Sequence, residues 1–519
     1  MCYNKIVKNL KGRNVCKTML KKTSIYLMHK YWGKKPSDEL EQIISKFSNT
    51  GDTIFDPFSG FGGFAVEGVL QNRNVIINDL NPIATFISKN ILNEFVDIKK
   101  FKRMINVLKL KYEYFRKEWY SFENGEIITI LRDSEDKPLK LRVKIANKLK
   151  DFTLTTEDQK KFLEKEQNYN IKTWFPKNKL IHNSRICAKV GMTNADLFPK
   201  RALICQSFLF DLICNLTDGP EKELLKFTFT SNLANCSKLV PPIISRGDMS
   251  QGAWMTGFYI GKTYLENNVF HYFENRLTKI IKGKECYLQL RKEKNVQSTY
   301  KILNEDAKNL SLKDNSIDFV FTDFPYGDTV PYFEQSQLWN HWLKNTVDYE
   351  NEIVVSDSSE REKNIVDFKD GIDKSISEIS RVLKDKKYFV FTFHSLSGEE
   401  WSAIISSLKK YGFKFQDCEV LLQKTLPPRQ LNRCNTIKGD IIAIYQKSED
   451  FIDNNCDFEN TLKGETNALE TNRLFDTNEL VVLCIKSMLE TSFDNDIDFK
   501  TIIGKYFVYE EQSGKWRKI

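Results

Sequence analysis

Short apolar runs that lead into an acidic residue recur along this chain. Thr53 to Phe55 runs into Asp56, Asn74 to Asn78 into Asp79, and Ile317 to Phe321 toward Asp323; Asp306 follows Tyr300 to Leu303. The runs are of strand length and mostly apolar rather than alternating, the pattern of strands covered on both faces. Further strands are predicted at Tyr388 to Phe393, Phe413 to Leu422 and Ile441 to Tyr445. Helical spacing separates them. Ser37 is placed to cap a helix with Leu40, Ile43, Ile44 and Phe47 on its apolar face, and further helices are predicted over Phe64 to Gln71, Ile372 to Leu383 and Trp401 to Tyr411. Strands alternating with helices predict an α/β fold with one seven-stranded sheet, its last two strands close enough to form an antiparallel pair.

This rhythm is lost between about Glu94 and Val296. Phe101 to Tyr120 reads as an amphipathic helix with a basic face, and residues 126–170 as charged, irregular chain. Apolar elements follow from Leu197 to about Leu216 and from Leu224 to Leu233. Gly252 to Tyr259 is a glycine-broken aromatic loop, and Asn267 to Lys282 a helix leading back to the sheet. A stretch this long cannot be a loop, so a large, mostly helical insert is predicted. Residues 345–368 are acidic and polar, placed to cover the site as a loop. After Asp450 the chain turns acidic and then helical, with Leu480, Val481, Leu483, Ile485 and Met488 as an apolar stripe: a small C-terminal extension.

Composition narrows the classes. A chain of 519 residues with 41% hydrophobic content forms two or three domains with sizeable cores. The net charge of +9 points to a polyanionic partner. Basic residues crowd the segment before Asp38, from Lys5 to Lys35, and recur at Trp174 to Lys179, at Arg185 and Lys189, and in the loop holding Arg429 and Arg433. Eleven cysteines without a Cys-x-x-Cys pair argue against a zinc ribbon or a thioredoxin-type site. Reduced thiols and a cytoplasmic location are expected, with no metal site, and no apolar run approaches the ~18 residues of a membrane span.

Two motifs carry chemistry. In Asp56-Pro57-Phe58-Ser59-Gly60-Phe61-Gly62-Gly63, a strand gives way to a glycine-rich turn and a helix, an arrangement that lets backbone approach a ligand closely. Asp79 lies about twenty residues on, where an acid holds the ribose hydroxyls of a nucleoside cofactor. In Asp323-Phe324-Pro325-Tyr326, Asp323 can accept from an amino group. Pro325 fixes the turn and leaves the Phe324 carbonyl as a second acceptor, and Tyr326 offers a face for a base. Upstream, His29-Lys30-Tyr31-Trp32-Gly33-Lys34-Lys35-Pro36 reads as an aromatic, basic loop.

The second motif resembles the Asp-Pro-Pro-Tyr motif of amino-directed nucleic-acid methyltransferases, with Phe324 in place of the first proline. With the His-x-Tyr-Trp-Gly-Lys-Lys-Pro loop and the Asp-Pro-Phe glycine turn, the chain resembles adenine-specific DNA methylases. The resemblance implies a Rossmann-like methyltransferase sheet and S-adenosyl-L-methionine as cofactor. Asp56, Phe58, Ser59, Gly60 and Gly62 would then contact its methionine part, Asp79 its ribose and Asp306 its adenine, while Tyr31 and Trp32 help close the pocket. It further implies methyl transfer to N6 of a flipped adenine, with Asp323, Phe324, Pro325 and Tyr326 as the catalytic set. Double-stranded DNA is the implied partner, along with a role in restriction–modification or phage defence and the nuclease or other proteins such a system brings. The domains expected are 1–93 (arm and cofactor half), 94–297 (target-recognition or partner-docking insert), 298–448 (catalytic half) and 449–519 (extension). The alternatives are a cytosine-N4 methyltransferase, a tRNA guanine-N2 methyltransferase, and a non-catalytic DNA-recognition subunit on the same fold.

Overall fold

A computed structural model describes residues 22–421, 439–448, 457–471 and 473–519. The arm before Lys22 and the loop holding Arg429 and Arg433 lie outside the described residues.

Seven strands form the central sheet: β1 (Thr53–Asp56), β2 (Asn74–Asn78), β8 (Tyr300–Leu303), β9 (Ile317–Asp323), β10 (Leu383–Phe393), β11 (Phe413–Leu421) and β12 (Asp440–Lys447). Their order is β11-β12-β10-β9-β1-β2-β8. All are parallel except β12, which slots between β10 and β11 and runs against both. The strands read as apolar runs because both faces are covered. On β9, Phe319 and Phe321 enter one core and Val320 the other; on β10, Val390 faces the first and Phe389, Phe391 and Phe393 the second. β1 and β9 lie side by side, yet the chain leaves them toward opposite edges of the sheet. That switch of direction opens a crevice at their carboxyl ends, where Asp56 and Asp323 sit.

The helix Ser37–Phe47 buries Leu40 and Ile44. Ser37 does not cap it. Pro36 is the N-cap, and the Ser37 hydroxyl donates instead to Glu67 Oε1 at 2.7 Å.

Most of the insert's regular structure is helical, but the expectation of irregular chain over residues 126–170 is corrected. The insert carries a five-stranded antiparallel sheet of β3 (Ser121–Phe122), β4 (Gly125–Asp133), β5 (Pro138–Ile145), β6 (Lys148–Thr153) and β7 (Thr263–Asn267). The period was present in β5, where Leu139, Leu141, Val143 and Ile145 alternate with Lys140, Arg142 and Lys144. The charge of the outward residues masked an alternating strand. Ala146 and Asn147, both at positive φ, close the β5–β6 hairpin. Helices Ile98–Tyr120, Lys200–Cys214, Pro220–Leu233 and Val269–Glu293 pack beside this sheet, and one buried cluster runs from them into the central sheet.

The C-terminal extension joins the other core. Leu480, Val481, Ile485 and Met488 of helix Thr477–Thr491 are buried with Phe389 and Trp401. A small sheet of β13 (Leu474–Phe475), β14 (Phe507–Glu510) and β15 (Lys515–Lys518) completes it.

Candidate active site

The glycine turn begins where β1 ends. Asp56 is buried and accepts from the Phe58 amide (3.1 Å) and the Thr322 hydroxyl (3.1 Å), and burial pushes its pKa well up. Gly60 stands at φ +49°, and a Cβ there would come to 3.0 Å from the Tyr31 ring. Only glycine lets that ring lie on the turn. Asp79, at the end of β2, anchors the turn from the other side. One carboxylate oxygen accepts from the Gly60 amide (2.8 Å) and the other from the Asn81 amide (2.9 Å). Burial raises its pKa to about 6.

The loop 29–36 crosses the crevice and ties its two halves together. Tyr31 stacks on Tyr332 with centroids 6.3 Å apart, and Trp32 packs on Trp339 at 5.1 Å. Gly33, at φ +68°, brings backbone against Asp323: a Cβ there would lie 3.3 Å from Oδ2. Lys35 Nζ sits 2.9 Å from Asp323 Oδ1 and 2.6 Å from Asp440 Oδ2, and donates to the Tyr326 hydroxyl at 2.7 Å. Asp323 Oδ1 also accepts from the Tyr326 hydroxyl (2.8 Å) and Thr392 Oγ1 (2.7 Å). Burial drives the Asp323 pKa up while the Lys35 ammonium pulls against it, leaving it raised.

One cleft is lined by Tyr31, Trp32, Asp56, Phe58, Ser59, Gly60, Asp79, Asp306, Asp323 and Pro325, so the glycine turn and the Asp323 turn open onto the same space. Three sequence-chosen residues stand apart from that lining. Gly62 lies behind the turn, at φ +81°, where a Cβ would come to 2.4 Å from Ser88 Oγ; it allows the turn to pack on helix Pro82–Leu92. The Phe324 ring is buried on the far face of the sheet, against Phe58 and Phe391, while its amide donates to the Thr392 carbonyl at 3.2 Å. Tyr326 corrects the expectation of an open stacking face. Its ring is buried between Phe393, His394 and the Lys35 ammonium, so its hydroxyl, not its face, reaches Asp323.

Sequence reasoning assigned no role to Lys35, Thr392 or Asp440. Lys35 was legible as one of two adjacent lysines in an aromatic loop; Thr392 and Asp440 gave no local signal. It also missed Glu352, which lines the cleft from the acidic loop. Burial together with Glu334 raises its pKa to about 8, despite the Arg361 guanidinium that bridges the two carboxylates.

Among the described residues no cluster of three His, Cys, Asp or Glu side chains is arranged to hold a metal, and no helix is long and apolar enough to cross a membrane. Residues 31–197 match the model of the D12 class N6 adenine-specific DNA methyltransferase family; the match takes in the loop from Tyr31 onward and the glycine turn and ends before Asp323. The chain is 37% identical over 108 residues to a tRNA (guanine(37)-N(1))-methyltransferase of Candida albicans (strain WO-1), covering 20% of this chain and 23% of that protein. It is 42% identical over 52 residues to the Mus musculus protein of the same name, covering 10% of each. The chain thus spans less than a quarter of the length of these relatives. Among solved structures, the rRNA methyltransferase aviRa from Streptomyces viridochromogenes aligns over 81% of this chain and 89% of its own, at 9% identity and a TM-score of 0.28.

The cofactor is S-adenosyl-L-methionine. The cleft fits it. Ser59 Oγ and Trp32 Nε1 are buried polar atoms without a partner among the described residues, both on lining residues. Asp79 keeps lone pairs for hydroxyl donors after serving two amides.

Proposed function

We propose that this chain is an S-adenosyl-L-methionine-dependent DNA methyltransferase that modifies the exocyclic N6 of an adenine. The observation that supports this most directly is the shared cleft: a nucleoside-type turn with Asp79 opens onto the space where Asp323 ends β9, and the D12 family match covers that turn. When bound, the cofactor supplies a methyl group on a positively charged sulfur.

The residues of this chain do the rest. An adenine amine is a poor nucleophile because its lone pair is delocalised into the ring. The Asp323 carboxylate and the Phe324 carbonyl, to which no described residue donates, provide two acceptors for its two hydrogens. Holding both favours a tetrahedral nitrogen with its lone pair free. The Lys35 ammonium favours the charged form of Asp323 against the pull of burial, and the amine takes up the acceptor position now filled by Tyr326. The base reaches this depth only outside the duplex stack, at a cost of a few kcal/mol. Tyr31, Trp32 and Tyr332 exclude water from the adjoining cofactor space. Most of the acceleration comes from positioning and fixed charge. In this reading the insert is the target-recognition part, and the divisions 1–93, 94–297, 298–448 and 449–519 follow function.

A second reading, transfer to a guanine in tRNA, draws its support from the relatives named tRNA (guanine(37)-N(1))-methyltransferase. Incubation of the protein with methyl-labelled cofactor and either duplex DNA or tRNA, followed by nucleoside analysis, separates the two. N6-methyladenine in DNA supports the first reading, and methylguanine in tRNA the second.

A further inference from the structure

Beside the cofactor cleft a second groove runs between the 29–36 loop and the insert. The loop contributes Lys30, Lys34 and Lys35, and the insert contributes Asn235, Trp254 and Arg276. Tyr31, Lys34 and Lys35 line both spaces, so the groove ends at the residue that holds Asp323.

Its charge is unbalanced. Lys30, Lys34 and Arg276 pair with no acid among the described residues. Lys34 donates to the carbonyls of Tyr26 and His29, and Arg276 to those of Leu27 and Met28 and to Ser231 Oγ. Lys30 Nζ lies over the Trp254 ring, 4.7 Å from its centroid. The cations also work against one another. Burial first, then the charges of Arg276 and Lys30, hold the Lys34 pKa well below its usual range. His29 gives no compensation, since burial lowers its pKa to about 3 and it stays neutral. Two acids, Asp38 and Glu41, share the lining; Glu41 is taken up by Lys22, and among the described residues neither comes within ion-pair distance of Lys30, Lys34 or Arg276. Some buried cations elsewhere meet acids directly, as Arg132 does between Glu166 and Glu266 and Arg361 between Glu334 and Glu352, and others, such as Lys284, stand alone on backbone carbonyls. The groove differs in gathering Lys30, Lys34 and Arg276 on one lining. Like charges gathered without counterions cost free energy that a bound anion returns. An aromatic ring beside a cation in such a groove suits a base or sugar next to a phosphate.

We propose that this groove holds the sugar–phosphate backbone of the nucleic-acid substrate and leads it to the mouth of the cofactor cleft. Lys30 and Arg276 meet phosphates, and Trp254 packs on a base or sugar. The inference rests on the reading of the chain as a nucleic-acid methyltransferase, and its test separates the two. Fluorescence anisotropy is measured on labelled duplex DNA and on a tRNA transcript over a salt series, for the wild type, Lys30→Gln and Trp254→Ala. Lys30 is exposed and bonds to no other side chain, so its replacement is not a folding test. Calorimetric binding of S-adenosylhomocysteine serves as the control. Lys30→Gln lowers the slope of log K against log salt by about 0.9, the loss of one phosphate contact. Trp254→Ala weakens binding by about tenfold at an unchanged slope. Both variants keep wild-type affinity for S-adenosylhomocysteine. These losses on DNA support the groove and the DNA reading together. The same losses on tRNA alone support the groove and remove the DNA reading. Wild-type slope and affinity in both variants on both ligands, or a wild type that binds neither, overturns the groove.

Discussion

In the proposed reaction Asp323 carries the central role, and its neighbours predict how it titrates. Burial raises its pKa and Lys35 opposes the rise. Lys35→Met removes the opposing charge, so the acidic limb of the pH–rate profile moves to higher pH; an unmoved limb contradicts the role given to Lys35. Asp79 titrates near 6, above the ordinary value of 3.8. Under the proposed function its ionised form, present at neutral pH, is the better acceptor for the cofactor's ribose hydroxyls. Cofactor affinity measured by calorimetry therefore falls as pH drops through about 6, and Asp79→Asn removes that dependence. Glu352 provides a stability signature. Its folded pKa of about 8 exceeds the ordinary 4.5, so the folded state holds a proton that the unfolded chain has lost. That contribution to stability is full below pH 4.5 and is lost as pH rises toward 8, and thermal melts of Glu352→Gln show a flatter fall across that window.

At the scale of elements, the departure of the motif from Asp-Pro-Pro-Tyr becomes intelligible. The Phe324 ring fills the core on the far side of the sheet, and its amide bonds to Thr392, which a proline could not do. Phe324→Pro is predicted to destabilise the fold by about 3 kcal/mol in denaturant melts. Phe324→Leu keeps the carbonyl and retains methylation with a smaller stability loss. Gly62→Ala meets Ser88 Oγ and a left-handed backbone, and costs about 1–3 kcal/mol without altering a lining residue. The seven sheet strands were legible because each is an apolar run followed by an acid or a turn. The insert's β5 was hidden because its polar face is wholly basic, and β7 because it is short and runs directly into helix Val269–Glu293. The cofactor turn and Asp323 were legible as local motifs. Thr392 and Asp440 were not, since each is placed by strand pairing across the sheet rather than by nearby sequence.

Over the whole molecule, sequence-distant parts meet at one sheet edge. The loop before β1 carries the lysine that reaches the aspartate ending β9, and the insert walls the groove beside them. The extension that follows β12 completes the core behind β10, so cutting the chain after residue 448 is predicted to lower the melting temperature of what remains. The most direct test of the account is the nucleoside content of duplex DNA after incubation with the protein and S-adenosyl-L-methionine, run beside Asp323→Ala. N6-methyladenine is expected with the wild type. With the variant a loss of at least about a hundredfold is expected while calorimetric cofactor binding persists. Undiminished methylation by Asp323→Ala, or a wild type that binds cofactor yet leaves adenine unmodified, would contradict the account.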